Sequence, residues 1–116
     1  MRPARAALVQ DLLPVFSIDI VEEANGAARQ LNLAQIFGDE VKEIWLEVGF
    51  GSGENLVACA KHNPQVGIIG CDPFLEGVGK LISRINIAKL ENIRILLYQL
   101  TGLIEKKVHQ ILKLRN

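Results

Sequence analysis

Proline is scarce and unevenly placed in these 116 residues: Pro3, Pro14, Pro64 and Pro73 are all of them, and none follows position 73. Cysteine is scarcer. Cys59 and Cys71 are isolated thiols, without the paired spacing of a zinc ligand set or a redox motif, which points to a reduced, cytoplasmic setting. Aromatic residues make up 5% of the chain, with one Trp and one Tyr. Neither sign of charge is in excess, since 13 Lys and Arg face 13 Asp and Glu. That balance argues against an autonomous RNA binder, and the small clusters Arg2/Arg5 and Lys106/Lys107 read as solvated surface. No apolar run has the length of a membrane span, and Ala6–Val9 after Arg2 and Arg5 is too short for a secretory signal. No His- or Cys-rich spacing suggests a metal, and there is no internal repeat or low-complexity tract.

What the chain does have is a strand that breaks into alternating glycines. The run Val41, Ile44, Trp45, Leu46 leads into Glu47-Val48-Gly49-Phe50-Gly51-Ser52-Gly53-Glu54-Asn55, and a helical pattern follows. Glycine lacks a Cβ, so such a turn can bend sharply and offer bare N–H groups to a ligand. Glu47 stands at the lip of the turn, and a second acid, Asp72, ends the next apolar run, Val66 to Cys71. An acid roughly 20 residues beyond the glycines is the spacing of a doubly wound nucleotide site.

The glycine spacing itself narrows the ligand. Asn55 occupies the position of the third glycine of a dinucleotide fingerprint, and the loop carries Glu47 and Glu54 but no cation. Two carboxylates repel a diphosphate, yet they suit a ligand with a cationic amine and ribose hydroxyls, such as S-adenosylmethionine. Three plainer roles stand beside this one: a strand-to-helix turn with no ligand, a solvent-facing Glu47, and a turn-forming or helix-capping Asp72 before Pro73.

Periodicity predicts strands at about Glu43–Val48, Val66–Gly70 and Ile93–Tyr98. Helices are expected from Ser52 or Gly53 to just before Pro64, from Leu75 to Leu90, and over a short stretch near Leu31–Phe37 that stops at Gly38. The fold class expected is α/β: a three-stranded parallel half-sheet with right-handed crossovers and flanking helices. Residues 1–38 are read as an irregular arm with short helical pieces, 39–99 as a ligand-binding half-domain, and 100–116 as an amphipathic helix striped by Ile104, Val108, Ile111 and Leu112.

The segments Ile44–Leu56, Asn63-Pro64, Gly67–Phe74 and Gly77–Leu81 together resemble the bacterial tRNA (guanine-N7-)-methyltransferases over roughly residues 30–98. Gly49-Phe50-Gly51 followed by Gly53-Glu54, and Gly77-Val78-Gly79 after the second acid, carry most of the likeness. The resemblance implies a partial Rossmann-like, class I S-adenosylmethionine-dependent methyltransferase fold, with tRNA as partner. It implies a donor site of Glu47, Gly49, Phe50, Gly51, Gly53 and Asp72, in which Glu47 meets the methionyl or sugar end and Asp72 the ribose hydroxyls. Gln99 falls where the family places an acid against the adenine amino group, and its side-chain carbonyl can still accept from that amine.

Two departures bear on activity. The family's chains are about twice as long, and their Pro-Asp-Pro-Trp motif, followed by basic residues, cannot occur here because no proline follows Pro73. No general base is visible either: His62 and His109 lie outside the motif. The resemblance therefore implies 7-methylguanosine formation in tRNA for the family. For this chain it leaves open a shortened, non-catalytic donor-binding module, a structural remnant, or transfer to another substrate. A mid-sheet strand with no fourth strand beside it would present an open edge. Covering by the arm, by the last helix or by a second copy is expected.

Overall fold

A computed structural model describes residues 2–18, 33–72 and 74–97. Its elements are α1 (Pro3–Phe16), α2 (Leu33–Phe37), β1 (Glu43–Val48), α3 (Glu54–His62), β2 (Val66–Cys71), α4 (Leu75–Ala88) and β3 (Ile93–Leu96). The three strands form one parallel sheet in the order β1-β2-β3. The central strand β2 is buried at every position, as a parallel strand covered on both faces must be.

Side chains alternate across the sheet and build two apolar layers. Ile68, Ile93 and Ile95 face α3 and α4, packing with Leu56, Val57, Ala60, Val78, Leu81, Ile82 and Ile85. Ile69, Cys71 and Leu96 face the other way, against Ile18, Ile36, Phe37, Ile44 and Leu46. Burial pushes the Cys71 thiol pKa above its ordinary value, and the neighbouring Asp72 charge adds to the rise.

The N-terminal segment departs from the irregular arm expected of it. Residues 3–16 are one helix of 14 residues. Pro3 stands in its first turn, where a missing N–H leaves no bond unmade, and Pro14 sits in the last turn, so neither breaks the middle. Leu8, Val9, Leu12, Leu13 and Phe16, spaced by fours, lie against the α4 side of the core. Beyond the helix, Ser17 bridges Ile95 in parallel, and the Ile18 N–H donates to the Ile95 carbonyl at 2.9 Å. Arg94 ties this seam together. Its guanidinium lies 5.6 Å from the Phe16 ring centre and 5.3 Å from that of Phe37, and it donates to the Ile36 carbonyl at 2.9 Å. Burial lowers the Arg94 pKa, opposed by Glu91.

The described part of the arm therefore extends the sheet beside β3, on the side away from β1. Among the described residues β1 pairs with β2 alone, and Trp45 and Val48 remain 37% and 45% exposed. Strand β3 ends at Leu96, with the described Leu97 already outside it, short of the expected Tyr98; Tyr98, Gln99 and residues 100–116 lie outside the described residues, and so does the expected final helix.

Helix α4 ends at Ala88, two residues short of the expected Leu90. Lys89 takes the left-handed conformation (φ 56°), and the Leu90 N–H donates back to the Ile85 carbonyl at 3.2 Å. At the same end of the sheet the Asn92 side-chain amide donates to the carbonyls of Ala60, Asn63 and Val66 at 3.1, 3.0 and 2.9 Å. It clasps the α3–β2 turn to the start of β3.

Candidate functional site

Glu47 is the penultimate residue of β1, and its register partner in β2 is Gly70. A Cβ at Gly70 would point at Leu56 and Phe50, so this position faces α3. Neighbours in register share a face, which puts Glu47 on the α3 side as well. Asp72, two residues beyond Gly70, extends the ladder through its N–H to the Leu96 carbonyl at 3.2 Å. Its carboxylate reaches the glycine turn on that same side. The two acids thus stand at the C-terminal ends of adjacent parallel strands and on one face.

They are held differently. Glu47 is half-buried in a hollow of about 270 Å³ walled by Trp45, Leu46, Asn55, Cys59 and Ile68. Asp72 is 5% exposed and lies outside those walls. Its Oδ2 accepts from the Gly51 N–H at 3.3 Å and its Oδ1 from the Phe74 N–H at 2.9 Å. The second bond is the turn-forming role of an Asp before proline. The first ties the glycine turn to the end of β2, a role the spacing alone does not reveal.

The glycines serve the turn more than they serve a ligand. Gly49, Gly51 and Gly53 all have positive φ, at 72°, 61° and 85°. Their amides are not bare: Gly49 N–H donates to the Cys71 carbonyl at 2.7 Å, Gly51 to Asp72, and Gly53 to the Phe50 carbonyl at 3.0 Å. A turn this tight closes on its own acceptors, which corrects the expectation of free N–H groups at these three positions. Phe50 is buried in the core with Leu56 and Val57, so its ring anchors the turn from beneath. Gly77 is required for another reason. A Cβ there would collide with the Gly51 carbonyl oxygen, so α4 can lie against the turn only with glycine at 77.

Arg84 braces the turn from outside. It donates through Nε to the Ser52 carbonyl at 3.1 Å and through Nη2 to Glu54 Oε1 at 3.1 Å. The sequence offered no signal for this pair, whose members are 30 residues apart. Gln99 lies outside the described residues. Among the described residues no three His, Cys, Asp or Glu side chains come together as a metal site, and no helix is long and apolar enough to cross a membrane.

A parallel sheet with strand-end acids around a glycine turn defines a Rossmann-like α/β protein. Residues 41–113 match the family described as "Putative methyltransferase", and the chain belongs to that family. It is 42% identical over 96 residues to a tRNA (guanine-N(7)-)-methyltransferase of Nitrobacter hamburgensis, with 83% of this chain and 36% of that protein covered. The enzyme of the same name from Cereibacter sphaeroides is 40% identical over 94 residues, covering 80% and 38%. The chain thus spans little more than a third of the length of these curated relatives. Among solved structures, one titled an antibiotic-related methyltransferase superposes with a TM-score of 0.53 at 20% identity, covering 72% of this chain and 45% of its own; it supports the fold alone.

Proposed function

We propose that residues 39–99 hold S-adenosylmethionine at the C-terminal ends of β1 and β2, as the donor-binding part of an enzyme that makes 7-methylguanosine in tRNA. The observation carrying this is the placement of Glu47 and Asp72 on one sheet face at adjacent strand ends. The residues present fit the donor chemically. The walls of the Glu47 hollow include no cation, and Asn55 stands beside the acid, so an ammonium group is favoured and a diphosphate is not. Asp72 uses two of its carboxylate's roughly four lone pairs on backbone amides, which leaves capacity for ribose hydroxyls. Gly49, Phe50, Gly51 and Gly53 shape the floor, and Gln99 is assigned to the adenine amine.

When bound, S-adenosylmethionine supplies a methyl group on a sulfonium sulfur to the N7 lone pair of guanine. N7 of guanine in RNA carries no proton, so the step needs alignment of donor and acceptor more than a general base. That neither histidine belongs to the glycine motif is therefore no obstacle in itself. A tRNA substrate also implies the cytoplasm as the working compartment.

Calorimetric titration of the chain with S-adenosylmethionine and S-adenosylhomocysteine, followed by methyl transfer to an unmodified tRNA transcript, tests the proposal. Binding with transfer is the expected result, and no heat at millimolar ligand would refute it. Binding without transfer would instead favour a donor-binding module without turnover. Among the described residues β1 pairs with β2 alone, which further suggests self-association through its other edge. Light scattering is expected to give a mass above 12.8 kDa that rises with concentration; a constant monomer mass would rule it out.

A further inference from the structure

The packing of α1 on α4 brings together charges that lie far apart in the sequence. Arg5 on α1 meets Lys80, Ser83 and Arg84 on α4, with Ser52 and Glu54 of the glycine turn, around a hollow of about 380 Å³. Arg84 and Glu54 are already paired with each other at 3.1 Å. That leaves Arg5 and Lys80 as two cations in one hollow, neither with a carboxylate partner among the described residues. Two like charges on separate elements repel, and an anion between them relieves the repulsion.

We infer that this hollow binds a backbone phosphate of the RNA substrate, with Arg5 and Lys80 as its cationic contacts. The inference rests on the RNA-substrate reading above and adds a contact site to it. Glu54 lines this hollow, while the next residue, Asn55, lines the hollow of Glu47. A strand anchored at Arg5 and Lys80 therefore lies on the outer side of the turn whose inner side faces the donor. Arg84 acts here as a positioning residue, because it holds the Ser52 carbonyl and Glu54 and so fixes the wall between the two hollows. The formal charge of the chain is zero, so attraction to RNA depends on local clusters of this kind.

The test is fluorescence anisotropy of the full chain with a labelled unmodified tRNA transcript over a range of salt concentrations. The Arg5→Gln, Lys80→Gln double variant is expected to bind at least tenfold more weakly at low salt. Its slope of log affinity against log salt should flatten by about 0.7 to 0.9, one phosphate contact's worth. The Arg5→Lys, Lys80→Arg variant keeps both charges and should keep the slope. S-adenosylmethionine affinity should be the same in all three proteins, which also reports that they are folded. An unchanged slope in the double Gln variant would overturn the inference. So would a chain that binds the donor but not tRNA, and in that case the donor reading survives. A chain that binds neither refutes the earlier proposal as well. Saturable binding of a poly-glutamate peptide with the same dependence on Arg5 and Lys80, in place of RNA, would assign the hollow to an acidic protein partner.

Discussion

Replacing Asp72 with alanine is expected to weaken S-adenosylmethionine binding at least tenfold, a change of about 1.4 kcal/mol or more. Two effects act in the same direction. On the proposed reading the ribose hydroxyls lose an acceptor, and the Gly51 and Phe74 N–H groups lose theirs, so the turn is no longer tied to β2. Hydrogen bonds to a charged partner are typically worth about 1.5 to 3 kcal/mol, so the variant should also be measurably less stable to urea. Glu47→Gln separates the two effects. Glu47 is half-buried at a strand end, and among the described residues its carboxylate is part of no hydrogen bond or ion pair, so its neutralisation should weaken the donor while leaving the urea midpoint unchanged. Calorimetry and urea titration of both variants would check this. Full donor affinity in Asp72→Ala would remove Asp72 from the site.

The second large effect is expected at Gly77. Alanine in the first turn of a helix ordinarily gains up to about 1 kcal/mol over glycine. At this position the added methyl meets the Gly51 carbonyl, a backbone atom with no rotamer to yield. Either α4 moves off the turn or the turn moves off Asp72. Overpacking of this kind costs typically about 1 to 3 kcal/mol, and here α4 carries Val78, Leu81, Ile82 and Ile85, all essentially fully buried. The clash outweighs the propensity gain. Gly77→Ala should lower the urea midpoint, and Gly77→Val should lower it further. A midpoint equal to or above that of the parent would mean that α4 and the glycine turn do not touch as described.

The central β-α-β-α-β unit was legible because its signals are local. Glu43–Val48 forms as expected, and the continuous apolar run before Asp72 becomes the fully buried β2, extended by one residue to Cys71. Helix α4 stops early because Lys89 adopts a conformation that the sequence would assign to glycine. Helix α1 was missed for a different reason. Two prolines obscured its period, Pro3 in the tolerated first turn and Pro14 giving up one i→i−4 bond in the last, and its apolar stripe gains meaning only from the α4 surface that it covers. The site was legible in part. The positions of Glu47 and Asp72 follow from strand ends and register. Who bonds to whom depends on contacts across the chain, as with Gly51 to Asp72 or Arg84 to Ser52. The Arg5–Lys80 hollow was invisible for the same reason.

The seam between Ser17 and Ile95 has a consequence for biosynthesis. The residue that follows α1 finds its resting place against β3, 78 residues further along the chain. Until α4 and β3 are made, Leu8, Leu12 and Phe16 lack the core they join. A nascent chain therefore carries a sticky α1 until those later elements emerge, the kind of surface that chaperones hold.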